Sequence, residues 1–298
     1  MKSLTQFACI LLAFAVLPAF YACGKTAASP DTAAKNTNTS DTMTTSVADT
    51  TSAKVKIETS LGSFTVLLYG DTPGHRDNFL KLVNDGTYEG TLFHRVIDKF
   101  MVQAGDPDSK TAKPGQRLGA GDLGYTQPAE ILFPKHFHKR GALAAARQGD
   151  QVNPQKRSSA SQFYVVTGNV VPAAQLDQLK QQLQYQQMQT IFNELAQQRM
   201  AEIRTMQQAG DQAGLKVLQE ELVKQTEAMV ANSPVDVTPE MEQAYTTIGG
   251  TPHLDGAYTV FGEVIEGMDV IDKIEKVATD SSDRPKEDIK IIKAEIIK

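Results

Sequence analysis

The 298-residue chain has no tryptophan and two cysteines, Cys9 and Cys23, which excludes a disulfide-stapled mini-fold. Past residue 22 it has no long apolar run, so a multi-span membrane protein is excluded too. It also lacks any block rich in Lys and Arg, and 30 basic residues against 35 acidic ones give a net charge of −5. Nucleic-acid affinity comes mainly from neutralising phosphates, so nucleic acid is not an expected partner. What the chain does have is 41% hydrophobic and 22% charged residues, enough to bury a core in one large or two small domains.

Residues 7–22 are continuously apolar except for Pro18, and these 16 residues fall short of the roughly 20 that a spanning helix needs. With Lys2 before them, residues 1–22 read as a secretory signal. The signal ends in Ala22-Cys23-Gly24, which resembles the bacterial lipoprotein signal, in which the cysteine is lipidated and becomes the new N-terminus. Phe20 and Tyr21 are bulkier than the residues usual there, which leaves ordinary cleavage and an uncleaved anchor as alternatives. Lipidation at Cys23 would supply the two or more chains that stable anchoring takes and would place the protein in the bacterial cell envelope, facing the periplasm. Residues 23–53, rich in Thr, Ser, Ala, Asp and Asn, have too little to bury to offset their ordering entropy and are expected to be a disordered tether.

From Lys54 the grammar becomes that of strands. Val55 and Ile57, then Phe64, Val66 and Leu68, alternate with polar or outward positions around Leu61-Gly62 and predict a hairpin. Asp71 or Thr72 as N-cap, Pro73, the Phe79, Leu80, Val83 spacing and a stop at Gly86 predict one short helix. Short apolar runs with frequent Gly and Pro from Thr91 to Gly168 suit a β-barrel, and strands return around 260–264 and 289–297, with a short helix near 268–274. Between residues 169 and 247, Leu, Met, Ile and Phe recur at helical spacing among many Gln. Two helices are expected there, long then shorter, turning near Ala209-Gly210-Asp211 and ending at Asn232-Ser233-Pro234. This stretch carries 10 acidic residues against 5 basic, so the net negative charge of the chain lies in it and the rest is nearly neutral.

The most informative segment is Phe93-His94-Arg95-Val96-Ile97-Asp98-Lys99-Phe100-Met101-Val102-Gln103-Ala104-Gly105-Asp106. One cation, two large apolar groups and one amide within nine residues suit a pocket that takes an apolar ring while addressing its polar backbone; composition alone equally allows a strand with a surface Arg and core Phe and Met. The order and spacing resemble the signature of cyclophilins, the peptidyl-prolyl cis-trans isomerases. Two further blocks agree: Gly141-Ala142-Leu143-Ala144-Ala145-Ala146-Arg147 followed by Ser161-Gln162-Phe163-Tyr164-Val165-Val166, and Leu254-Asp255-Gly256 followed by Val260-Phe261-Gly262. The resemblance covers residues 54–168 and 248–298 and implies a mainly β protein. It would be a closed antiparallel cyclophilin-like barrel capped by short helices, in two parts separated by an inserted α-helical hairpin over 169–247.

That resemblance implies the chemistry. A peptide bond resists rotation by about 18–20 kcal/mol because the nitrogen lone pair is delocalised into the carbonyl. A fixed cation aimed at the prolyl nitrogen stabilises the twisted state more than either planar one. Arg95 would have this role. Phe100, Met101, Tyr164 and Leu254 would hold the proline ring, Gln103 would bond substrate backbone, and Ala146, Arg147 and Gln162 would line the adjoining groove. Three positions depart from the family: His253 stands where many eukaryotic members carry Trp, Tyr258 replaces a His, and Arg147 replaces an Asn. The missing Trp implies weak cyclosporin binding. No metal, nucleotide or other cofactor is implied, and the expected partners are unfolded or Pro-containing polypeptides.

His136 and His138 lack a nearby metal-ligand set and read as polar loop or strand residues, His94 as a structural hydrogen-bonder, and Gly119 to Gly124 as a loop. Two functions remain open: an isomerase assisting the folding of exported proteins, or a module that binds Pro-containing segments with little turnover. For the helical insertion, a client-binding arm stands against a spacer or dimerisation hairpin.

Overall fold

The period-two stretches pair as their alternation requires. In the computed structural model, which describes residues 51–232 and 237–298, β1 (Ala53–Thr59) and β2 (Gly62–Leu68) form an antiparallel hairpin with Val55 opposite Val66 and Ile57 opposite Phe64. Gly62 at φ +130° makes its turn possible, because a Cβ there would lie 2.9 Å from Val270 Cγ2. The signal segment, Cys23 and the tether up to residue 50 lie outside the described residues.

Eight strands form one antiparallel sheet. Along the chain β3 (Arg95–Ile97), β4 (Met101–Ala104), β6 (Ala142–Ala145), β8 (Phe163–Val166), β9 (Val260–Glu266) and β10 (Ile291–Ile297) join the first two in the order β10-β1-β2-β9-β6-β8-β4-β3. A two-stranded ribbon pairs β5 (Thr126–Gln127) with β7 (Ser158–Ser159). The sheet is curled but is not the closed barrel expected. Its edges, β3 and β10, do not pair as strands; a single bridge, Leu92 to Lys290, joins that side, with Phe93 N–H donating to Ile289 O and Ile291 N–H to Thr91 O. The bonds toward β10 come from residues 90–93, before β3 begins, whereas the free side of β3 is met by the turn at Asp283, whose carbonyl accepts from Val96 N–H.

Alternation sorts the residues of these strands to two faces. Val96, Val102, Ala104, Leu143, Ala145, Phe163, Val165 and Phe261 join Ile57, Phe64 and Val66 in the main core. Their neighbours Ile97, Met101, Ala142, Ala144, Tyr164, Val166 and Val260 form a second cluster, on which Phe100, Leu254 and Tyr258 pack.

The first helix, α1 (Pro73–Asn84), starts at Pro73 as expected, yet neither Asp71 nor Thr72 caps it through its side chain. Glu130 does so from a distant loop, accepting from Gly74 N–H and His75 N–H at 2.9 Å each and meeting His75 Nδ1 at 2.6 Å. Asp71 instead pairs with Lys135 and His136.

The chain divides into two units, one including residues 51–187 and 237–298 and the other residues 188–232. The insertion is not one hairpin. It comprises α2 (Ala173–Gln198), α3 (Met200–Ala209) and α4 (Gln212–Asn232), followed by α5 (Pro239–Thr247). The first long helix is interrupted at Arg199, whose guanidinium pairs with Glu202 in the first turn of α3 and with Glu221 of α4. The expected turn is there: Gly210, at φ +70°, ends α3 with bonds from Gly210 N–H to Gln207 O and from Asp211 N–H to Met206 O, a Schellman arrangement. In the second unit Phe192, Leu195, Ile203, Met206, Leu218 and Leu222 pack together. The early part of α2 packs elsewhere: Leu179 and Leu183 join Phe137, Val237, Met241 and Tyr245 in a cluster of the first unit.

The helix α5 was not anticipated. Its signal was present in Thr238-Pro239-Glu240: the Thr238 hydroxyl accepts from Met241 N–H, Pro239 sits in the first turn, and Glu240 and Glu242 complement the helix dipole. The C-terminal helix α6 (Met268–Glu275) falls where the sequence placed it and buries Val270, Ile271 and Ile274.

Because Leu183 is buried against Tyr245 and Met241, Leu183→Ala is expected to lower the stability of the first unit by about 2–5 kcal/mol. Urea unfolding followed by near-ultraviolet circular dichroism of its buried tyrosines checks this; an unshifted midpoint would mean that α2 does not pack on α5.

Candidate active site

The pairing register brings distant residues into one row. Arg95 on β3 faces Gln103 on β4, Gln103 faces Tyr164 on β8, and Tyr164 faces Ala144 on β6. Directly opposed residues in antiparallel strands have their side chains about 4.5–5.5 Å apart on one face. Arg95, Gln103 and Tyr164 therefore lie side by side although 69 positions separate the first from the last.

They line a cavity of about 650 Å³ together with Phe100, Met101, Ala146, Arg147, Leu254 and Tyr258. Met101 and Tyr164 are buried in its floor. Gln162 and His253, also expected in the site, are not on this lining. Gln162 stands behind it and supports Gln103, accepting from Gln103 Nε2 at 3.0 Å while its own Nε2 donates to Gly121 O at 2.8 Å and Gly119 O at 3.2 Å. His253 stacks on Phe100 with centroids 5.5 Å apart and lines a neighbouring groove.

Arg147 is held away from free rotation. Its Nε donates to Ala257 O at 2.8 Å, its Nη1 meets Asp150 at 2.6 Å, and its guanidinium lies 4.5 Å over the Tyr258 ring. The side chain thus fixes the loop that presents Leu254 and Tyr258.

Arg95 is 44% exposed, and its Nε lies 3.7 Å from Asp283 Oδ2. Asp283 was not singled out from the sequence. It sits at φ +62° in a turn built on Asp280, whose Oδ1 accepts from Ser282 N–H and Arg284 N–H, and its own carbonyl accepts from Val96 N–H. Asp280, Ser281, Ser282 and Arg284 form one wall of the cavity. Buried Arg284 ties that wall to the next, donating to Lys113 O at 2.9 Å and Gln116 O at 2.6 Å. Turn composition marks 280–283 as a loop, but nothing local places it beside Arg95.

Beneath the floor lies a buried polar chain. Asp255 Oδ1 accepts from His138 N–H at 2.8 Å and meets His138 Nδ1 at 2.9 Å; His138 Nε2 lies 3.0 Å from the Tyr164 hydroxyl; and Asp255 Oδ2 accepts from the Tyr245 hydroxyl at 2.5 Å. Burial pushes the Tyr164 and Tyr245 hydroxyls well up from the ordinary phenol value, so both stay protonated. His138, which the sequence suggested to be a plain polar residue, is thus the link between the site floor and α5. His136 is a surface partner of Asp71, stacked on Tyr69. Burial holds both His94 and His253 below the usual imidazole value.

Comparison with known proteins adds the family. The cyclophilin type peptidyl-prolyl cis-trans isomerase/CLD model matches residues 54–228 and 229–296. A Staphylococcus saprophyticus protein named for peptidyl-prolyl cis-trans isomerase activity is 31% identical over 246 residues, covering 82% of this chain and 91% of that protein. A Streptococcus pyogenes protein named as a bifunctional phosphatase/peptidyl-prolyl cis-trans isomerase is 30% identical over 250 residues, 83% of this chain but 39% of that protein. A crystal structure of a Cryptosporidium parvum cyclophilin type peptidyl-prolyl cis-trans isomerase superposes with a TM-score of 0.48 at 20% identity, covering 83% of this chain and 99% of that one. With its family signature spanning both halves of the sheet, the chain belongs to the cyclophilin-type peptidyl-prolyl cis-trans isomerases.

Proposed function

We propose that this protein accelerates rotation about X–Pro bonds in exported polypeptides at the bacterial cell envelope, with Arg95 as the catalytic cation. The observation that carries the reading is the single cavity in which Arg95 and Gln103 face a floor of Phe100, Met101, Tyr164 and Leu254. The apolar floor takes the proline ring. Gln103, braced by Gln162, bonds the backbone beside it. As the bond twists, the nitrogen pyramidalises and its lone pair localises; a guanidinium within reach stabilises that state over both planar ones. Asp283 leaves Arg95 in place without burying it, so the cation remains open to substrate. No proton is transferred and no covalent bond is made or broken.

Arg95→Ala is expected to lower kcat/KM for a Pro-containing peptide at least about tenfold, equivalent to about 1.4 kcal/mol at the transition state, with the circular dichroism spectrum unchanged. Arg95→Lys should not restore the full rate, because an ammonium lacks the planar fork. A protease-coupled assay measures both, and unchanged turnover in folded Arg95→Ala would remove the assignment.

The pH dependence follows from the same chemistry. Arg is protonated throughout, so turnover should be flat from about pH 6.5 to about 8.5. Stability should behave differently. His94 and His253 are held below 6.5 by burial, so as pH falls through that value the unfolded chain takes up protons that the folded one refuses. Stability is therefore lost as pH falls below about 6.5 and recovered above it. Urea midpoints at pH 7.5 and pH 5.5 measure this; a bell-shaped rate profile or a higher midpoint at the lower pH would contradict it.

The envelope location rests on residues 1–23. Cys23→Ser is expected to release the protein from membranes or block its processing, because a hydroxyl cannot form the lipid thioether. Detergent phase partitioning of wild type and variant is the test, and a soluble wild type or an equally membrane-bound variant would defeat the lipid anchor.

A further inference from the structure

Beside the active-site cavity lies a second groove of about 540 Å³, within the about 300–1,000 Å³ usual for ligand clefts. The two share Phe100, and the stack of Phe100 on His253 forms the ridge between them. One wall comes from loops at the sheet: Lys99 and the turn Gly250–His253. The other comes from the start of the helical insertion, residues 169–172 and the first turns of α2.

The lining has a definite chemistry. Asn169, Gln175, Gln178 and Gln182 supply neutral amides that both donate and accept, and they are exposed with their polar ends free to face a ligand. Val170, which is 50% exposed, together with Pro172, Leu179 and Pro252, supplies apolar contact. Among the described residues no acidic side chain lines the groove, and Lys99 is its one cation. Neutral amides interleaved with apolar patches match an extended polypeptide, whose backbone needs donors and acceptors while its side chains need apolar cover. They match neither a phosphate nor a metal ion.

The groove is also preformed. Gly250 N–H donates to Asn169 O at 3.0 Å and Thr251 N–H to His138 O at 2.8 Å, and a Cβ on Gly168 would stand 2.1 Å from Gly250 O. The two walls are therefore locked at a backbone approach that only glycine allows, and little ordering remains to oppose binding.

We propose that this groove is an extended substrate subsite. It holds the stretch of polypeptide that continues, on one side, from the proline seated in the first cavity. The occupant is the same chain that is being isomerised, because the groove adjoins the catalytic cavity and shares Phe100 with it. The inference rests on the isomerase reading for its first cavity, and it gives the early part of the insertion a role in substrate length preference.

The test compares a four-residue Pro-containing peptide with two longer ones carrying six further residues, before or after the proline, in wild type and in the surface variants Val170→Asp and Gln178→Glu. Turnover is followed by the coupled assay, and binding of the dye-labelled long peptides by fluorescence anisotropy. One long peptide is expected to gain about fivefold in kcat/KM and in affinity over the short one, and each variant should erase that gain while leaving short-peptide turnover unchanged. Equal values for all peptides in wild type, or a gain that survives both variants, would overturn the subsite. A length effect on anisotropy that the variants erase, in a protein that turns over no peptide, would sustain the groove and remove the isomerase reading instead. A wild-type dimer that Val170→Asp dissociates, with no length effect, would assign the groove to a second copy of the chain and overturn the proposal.

Discussion

Everything in the site depends on the register of two short antiparallel pairings. β3, β4 and β8 meet so that Arg95 faces Gln103 and Gln103 faces Tyr164. The side-chain period of a strand is two, so a slip of one residue would turn Arg95 and Gln103 into the core and Val96 and Val102 out toward substrate. Burial of Val96, Val102, Phe163 and Val165 on the inner face makes that slip costly. A buried Val or Phe side chain contributes about 1.5–3 kcal/mol relative to exposure, and four of them must move together. The hydrophobic core thus positions the candidate active site without touching substrate.

The face opposite that core has its own support. Tyr164 is packed in the floor and its hydroxyl meets His138, which Asp255 holds and which Tyr245 in turn reaches through Asp255. Such a chain is worth most when every member is satisfied, because an unpaired member would carry its full desolvation cost. It joins the floor to the turn carrying Leu254 and to α5, the last helix of the insertion. The insertion is accordingly two things: α5 and the start of α2 belong to the unit that contains the sheet, whereas residues 188–232 form their own cluster around Phe192, Leu218 and Leu222.

What was legible in the sequence was what local spacing encodes. The strand alternation, α1, α6 and the αL turn at Gly210 all follow from periodicity and glycine chemistry, and the three ordered motifs pointed to the residues that line the cavity. What was not legible depends on long-range placement. Glu130 caps a helix 56 residues before it, Asp283 meets Arg95 across 188 positions, and Arg147 turns inward onto Tyr258, where a surface Arg looks the same in sequence. The Leu spacing of α2 foretold a buried stripe but not that Leu179 and Leu183 would pack on α5 while Phe192 packed on α4. An open edge between β3 and β10 was equally hidden, since strand length across a sheet is set by tertiary context. The helix α5 is the exception: Thr238-Pro239-Glu240 announces it locally, with a capping hydroxyl, a first-turn proline and a first-turn acid.

The central claim is that strand register presents Arg95 to a proline held on the outer face of the sheet. The most direct measurement is a crystal structure of the protein with a bound Pro-containing peptide. The account predicts the proline ring against Phe100, Met101, Tyr164 and Leu254, with the Arg95 guanidinium turned from Asp283 toward the prolyl amide and Gln103 bonded to the peptide backbone. A proline seated elsewhere, or an Arg95 that stays on Asp283 and makes no contact with the peptide, would contradict it.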